Sequence, residues 1–177
     1  MHRLFVALRP PPTTRALLLE TMGGIPGARW QDDDQLHLTL RYIGEVETPQ
    51  AEDIAAALNQ ISGPRPTVIL SGVGTFDRKG IVHTLWAGIA PDDALKLLHD
   101  RINRALTLAG IAPEERAFKP HITLARLNRS PSPLDGFLSR AAGLSAPPFT
   151  PDAFLLYEST LGSEGSIYEA VARYPLG

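Results

Sequence analysis

One short phrase occurs twice in this chain, and it limits the possible fold more than any other feature. His37-Leu38-Thr39-Leu40 and His121-Ile122-Thr123-Leu124 both read His-apolar-Thr-Leu, with one copy in each half of the sequence. A strand sends alternate side chains to opposite faces. Leu36, Leu38, Leu40 and Tyr42 then share one face, and His37, Thr39 and Arg41 share the other. In the second copy Ile122 and Leu124 lie opposite His121 and Thr123. Each strand has an apolar face for packing on helices and a polar face holding an imidazole and a hydroxyl. Two such strands predict two similar lobes whose polar faces converge on a cleft.

The intervening segments suit that plan. Leu4 to Leu8 is a short apolar run closed by Pro10-Pro11-Pro12, which reads as a buried strand. A helix follows from Thr13 or Thr14 to about Met22, stopped by Gly23-Gly24. Leu36 to Ile43 is a strand, and a second helix starts after Thr48-Pro49. Thr67–Val73 and Val82–Ile89 form a hairpin around Asp77-Arg78-Lys79-Gly80. A third helix opens at Pro91-Asp92-Asp93 and ends at Gly110, before a strand over Ile122–Leu127. Asn128 to Ala146 reads as a loop with one short helix near Phe137. A last hairpin joins Phe149–Leu161 to Ser166–Tyr174. Hairpins mixed with crossover helices exclude a simple doubly wound parallel sheet and give an α+β class. No linker or low-complexity tract interrupts the 177 residues, so one domain over 1–177 is expected.

Composition narrows the chemistry. There is no cysteine, which removes disulfides, thiolate metal sites and a cysteine nucleophile. A net charge of -2 argues against a broad non-specific nucleic-acid surface and leaves room for a small basic pocket. The N-terminal apolar run is too short for a signal peptide, and no run is long enough to span a membrane. A cytoplasmic protein, monomeric and without membrane contact, is the expectation.

Two imidazoles and two hydroxyls in one cleft are equipment for phosphate chemistry. Histidine titrates near neutrality, so one ring can act as base while the other acts as acid. Threonine hydroxyls can donate to phosphoryl oxygens. One His-x-Thr pair on a half-exposed strand is an ordinary surface feature; two near-identical pairs are not. Zinc normally needs three or four ligands, and His2, His83 and His99 are scattered with no carboxylate placed beside either phrase. No metal and no cofactor is therefore expected. Arg126 is a candidate phosphate ligand, although strict alternation turns it away from His121 unless a bulge redirects it. Arg41, on the His37 face by alternation, is a second candidate. Trp30, Tyr42 and Phe118 could stack on a base, with core packing the simpler role for each. His99, beside Asp100 and Arg101, reads as part of a solvated helix face.

At these residues the sequence resembles the 2H phosphoesterases, in particular the RNA 2',3'-cyclic phosphodiesterases also called 2'-5' RNA ligases. The resemblance runs through Arg3-Leu4-Phe5-Val6-Ala7-Leu8, Trp30, Leu36 to Glu45, Leu85-Trp86-Ala87-Gly88-Ile89, Phe118 to Arg126, Tyr157-Glu158-Ser159 and Tyr168. It implies a bilobal, pseudo-two-fold symmetric fold, with two antiparallel or mixed sheets facing a metal-free cleft and helices outside. It implies hydrolysis of RNA 2',3'-cyclic phosphate ends to 2'-phosphates, with RNA ends or small cyclic nucleotides as partners. His37 would match the family's proton donor and His121 its proton acceptor. Thr39 and Thr123 would match the phosphate-holding threonines, and Arg126 a phosphate-binding arginine. Tyr42 departs mildly from the family's usual phenylalanine. Joining of RNA ends at the same site, or binding of RNA ends without catalysis, are the competing readings. Two titratable groups are more than binding alone requires.

Overall fold

A computed structural model of the chain describes residues 1–128 and 133–177. The four residues between them fall in the loop expected after Asn128, and that part of the expectation lies outside the described residues. Strand β1 (His2–Leu8) is followed by α1 (Pro12–Thr21), the two-residue β2 (Arg29–Trp30) and a 3-10 turn (Asp33–Gln35). Then come β3 (Leu38–Val46), α2 (Thr48–Leu58), β4 (Leu70–Arg78), β5 (Ile81–Ile89) and α3 (Asp93–Leu108). The chain ends with β6 (His121–Arg126), α4 (Asp135–Ala141), β7 (Ala153–Gly162) and β8 (Gly165–Pro175).

All strand pairings are antiparallel, in the order β4-β5-β6-β3-β1-β7-β8, with β2 also paired to β6. The expected two sheets are therefore the halves of one open sheet. The seam between them is a single residue pair, Leu38 with Ile122. The unit β1-α1-β3 on one side corresponds to β5-α3-β6 on the other, so a local two-fold axis runs through the seam.

Local chemistry accounts for the elements. Prolines stand in the first turns of α1 and α2, where a missing N–H costs no helical bond. Asp92 caps α3, its carboxylate accepting from Leu95 N at 2.9 Å. The stripe Leu95, Leu98, His99, Ile102 and Leu106 packs α3 onto the sheet. Lys79 and Gly80 both take positive φ, 53° and 81°, which is the two-residue turn that joins β4 to β5. In β1 residues 4–8 are all buried because both faces are covered. Leu4, Val6 and Leu8 enter the main core under the helices, while Phe5 and Ala7 join Tyr157 in a smaller cluster on the other face. That second cluster forms the floor beside His37.

Candidate active site

The seam builds the site. Leu38 and Ile122 face each other and are fully buried. One antiparallel step to either side brings His37 abreast of Thr123 and Thr39 abreast of His121. The repeated phrase thus pairs with itself, and four polar side chains meet on the cleft face. His37, Thr39, His121 and Thr123 are all partly exposed, while their strand neighbours Leu38, Leu40, Ile122 and Leu124 are buried.

Both imidazoles are held in the same way. His37 Nδ1 lies 2.7 Å from Gln35 O, and His121 Nδ1 lies 2.6 Å from Lys119 O. A carbonyl oxygen only accepts, so Nδ1 donates in each ring. Nε2 is then the nitrogen left to exchange a proton, an acceptor when the ring is neutral and a donor when it is charged. Among the described residues neither Nε2 has a partner. Aromatic rings fix the planes. Phe5 and Tyr168 lie 4.8 and 5.2 Å from the His37 ring, and Phe76 meets the His121 ring edge-on at 4.8 Å.

The carbonyl that orients His37 is itself clamped. Asp32 and Gln35 form a reciprocal capping box, with Gln35 N donating to Asp32 Oδ1 at 3.0 Å and Asp32 N donating to Gln35 Oε1 at 3.1 Å. Gln35 Nε2 also donates to Ser166 O at 2.9 Å. Arg9 Nη1 donates to Asp33 O and Leu36 O at 2.7 and 2.6 Å. Sequence reasoning missed these supports. The Asp32-to-Gln35 spacing was a readable capping signal, but nothing local ties Arg9 or Ser166 to that turn.

Arg126 stands on the histidine face. Strand β6 pairs Trp86 with Thr123 but Leu85 with Ala125, so Leu124 is an extra residue and the alternation slips by one. The bulge that Arg126 required is present, and Arg126 Nη1 donates to Thr84 Oγ1 at 2.9 Å. Strand β3 has the same slip at Leu40, between Thr39 and Arg41. That slip corrects the reading of Arg41. It leaves the histidine face for the back wall of the neighbouring cavity, is 6% exposed, and donates to Asn103 Oδ1 at 2.9 Å and Ala112 O at 2.6 Å. Tyr42 takes the cleft-facing position instead and is half exposed. Tyr42 and Arg126 are thus equivalent by the local two-fold.

His99 also differs from expectation. It is buried on α3 and stacks on Phe118 with ring centres 3.8 Å apart, and Asn103 Nδ2 donates to its Nε2 at 3.1 Å. Asn103 joins Arg41 and His99, and so fixes the 112–118 segment as a wall. The cavity against this wall, about 520 Å³, is lined by Thr39, Tyr42, Phe76, Glu114, Phe118 and His121. Trp30 packs against Phe137 in the core, 5.5 Å between rings. His83 lines the same cavity and its Nδ1 lies 2.7 Å from Thr84 Oγ1.

The electrostatics favour neutral rings in the unliganded cleft. Burial pulls the His37 pKa down to about 4; Arg9, His121 and Arg126 push the same way, against the Gln35 carbonyl. Burial, then the charge of Arg126, also lowers His121, against the Lys119 carbonyl. No group of three His, Asp or Glu side chains spaced to hold a metal occurs among the described residues. No helix among them is long and apolar enough to cross a membrane.

An open antiparallel sheet folded about a two-fold, with a His-x-Thr pair from each half, defines a two-histidine phosphoesterase. Residues 24–162 match the model of the 2'-5' RNA ligase superfamily, and the chain belongs to that family. Two relatives of similar sequence are both named RNA 2',3'-cyclic phosphodiesterase. The one from Aeropyrum pernix is 32% identical over 84% of this chain and 85% of its own length. The one from Thermotoga maritima is 32% identical over 82% and 78%. Among solved structures, TT0787 of Thermus thermophilus superposes with a TM-score of 0.81 at 25% identity, covering 98% of this chain and 97% of that one. Escherichia coli LigT complexed with 3'-AMP gives 0.78 at 25% identity over 99% and 98%.

Proposed function

We propose that this protein hydrolyses 2',3'-cyclic phosphate ends of RNA to 2'-phosphates without a metal ion. The observation that carries the reading is the self-paired phrase at the seam, with both imidazoles donating through Nδ1 and both Nε2 atoms left to react. In this reading His121 Nε2 takes a proton from water as the water oxygen attacks phosphorus. The P–O3' bond breaks on the far side, and His37 Nε2–H gives its proton to O3'. One ring gains a proton and the other loses one, so a later exchange with solvent resets the pair. Thr39, Thr123 and Arg126 hold the non-bridging oxygens, where preorganised donors act most strongly on developing charge. That O3' rather than O2' leaves is carried over from the family. The relatives named above support the substrate class.

A parallel step, attack of an RNA hydroxyl on the cyclic phosphate in place of water with O3' again leaving, uses the same groups. A cavity of about 440 Å³ beside His121 and Trp86 gives space for such an alcohol. Water at its solvent concentration favours hydrolysis.

The test is incubation with nucleoside 2',3'-cyclic phosphates, with the product isomer identified by phosphorus NMR. The 2'-phosphate should predominate. His37→Ala and His121→Ala should each lose at least about a hundredfold in kcat with little change in melting temperature. Predominant 3'-phosphate would reverse the orientation, and near-native turnover in either variant would remove the acid-base assignment.

A further inference from the structure

The two ends of the cleft are unlike. At the end reached through Tyr42 the cavity is large enough for a nucleoside, with Tyr42, Phe76 and Phe118 in its walls beside Glu114, Arg116 and Lys119. At the opposite end, beyond His37, Arg126 stands directly across from Arg29 in the β2–β6 register. Cross-strand partners project to the same face, so both guanidinium groups belong to the cleft side. Like charges set directly opposite are unfavourable unless something lies between them. Among the described residues Arg126 donates only to the neutral Thr84 hydroxyl, and Arg29 has no hydrogen bond or ion pair. No carboxylate among those residues neutralises the pair.

The hairpin tip closes this end. A Cβ on Gly165 would stand 3.3 Å from Arg29 Nη2 and 3.6 Å from Gln35 Nε2, so the tip reaches both side chains. Gln35 is already tied to Ser166 on that tip and orients His37. The arginine pair therefore stands beside the turn that orients His37.

We propose that Arg29 holds a second phosphate of the RNA chain, the phosphodiester on the 5' side of the terminal nucleotide, with Arg126 between the two phosphates and shared by them. The inference rests on the hydrolase reading above and extends it to substrate class. An RNA end carries that second phosphate, and a nucleoside 2',3'-cyclic phosphate does not. Paired planar guanidinium groups suit phosphate oxygens, which accept bidentate hydrogen bonds from them. At the Tyr42 end Arg41 is tied to Asn103 and Ala112 O, Arg116 pairs with Glu114, and Lys119 stands without a cross-strand arginine among the described residues, so the Arg29–Arg126 pair gives the two-fold site a direction.

Three substrates test this: adenosine 2',3'-cyclic phosphate, the same compound with a 5'-phosphate, and a dinucleotide ending in a 2',3'-cyclic phosphate. For the native enzyme, kcat/KM should be about tenfold or more higher for the dinucleotide than for the nucleoside compound. Arg29→Gln should bring that ratio close to one, mainly through KM, and Arg29→Lys should restore part of it. The salt dependence of the dinucleotide reaction should also become shallower in Arg29→Gln. Equal kcat/KM values in the native enzyme, or a preference that survives Arg29→Gln, would overturn the proposal. An advantage confined to the 5'-phosphorylated mononucleotide would assign the pair to phosphomonoesters and overturn the RNA-chain reading. If none of the three is hydrolysed, the hydrolase reading fails by itself. Fluorescence anisotropy with a labelled dinucleotide 2'-phosphate then decides the subsite separately. About tenfold weaker binding to Arg29→Gln supports it, and equal binding overturns it.

Discussion

His37 and His121 make the same backbone hydrogen bond but sit in different fields. His37 is the more desolvated and lies nearer to positive charge, facing Arg9 from the end of β1, His121 and Arg126 from β6, and Tyr157 and Tyr168 from the last hairpin. With its pKa lowered to about 4, the ring is neutral at neutral pH in the free enzyme. In the proposed mechanism His37 must nevertheless carry a proton when O3' leaves. The anionic substrate resolves this, because a negative charge at the Thr39–Thr123 position favours the imidazolium form. The free enzyme should therefore be most reactive on the acid side of an ordinary histidine pKa, and the bound complex at higher pH. The sign follows from the depressed values: raising pH strips the acid from the free enzyme first. A pH profile should show the alkaline limb of kcat/KM below about 6.5 and that of kcat shifted upward. Both limbs belong to the coupled pair and not to either ring alone. Coincident alkaline limbs for the two constants would mean that bound phosphate does not protonate the site.

At the scale of the elements, close approach matters more than propensity. Trp86 lies flat over Gly74, where a Cβ would come within 2.2 Å of the indole ring. The indole is 6.1 Å from the His121 ring, and Phe76 on β4 touches both, 5.3 Å from the indole and 4.8 Å from the imidazole. Gly74→Ala must push the indole toward the imidazole. Overpacking of this kind typically costs about 1–3 kcal/mol, so a lower melting temperature together with reduced kcat is expected. Unchanged turnover would show that Trp86 moves aside without disturbing His121. The elements themselves were largely legible, because apolar runs such as Leu4–Leu8 and the α3 stripe follow from period alone. The short β2 was not, since two residues carry no periodic signal. Nor were the bulges. Alternation points Arg41 into the cleft and Arg126 out of it, and one extra residue in each strand exchanges both. A bulge is set by the partner strand's register, which a single strand's sequence does not contain. The same reason hid Arg29, whose meaning lies in what it pairs with. His99 reads wrongly from sequence because the charged Asp100 and Arg101 that follow it outweigh its place on the buried stripe with Leu95, Leu98 and Ile102.

For the whole molecule the decisive feature is how little joins the halves of the sheet. Only the Leu38–Ile122 pair bridges β3 and β6, because β2 takes over the far part of β6 at Ala125 and Arg126. Helices α2 and α3 pack against each other behind the seam and share its apolar core. The spacing of the two histidines therefore depends on the volume of two buried side chains more than on any bond between the halves. Removing one methyl at the seam should cost little stability but alter that spacing. Ile122→Val should lose about 0.5–1.5 kcal/mol, the usual cost of that deletion in a packed core. A displacement near 1 Å between reacting groups can cost about a hundredfold in rate, so even partial closure of the gap should lower kcat severalfold. Leu58→Val, fully buried in α2 away from the cleft, is the comparison, since it removes similar volume from the same core. Thermal denaturation should give similar losses for both variants, and steady-state kinetics should show reduced kcat for Ile122→Val alone. Equal kcat in the two would mean that the helices, and not the seam, set the distance between the imidazoles.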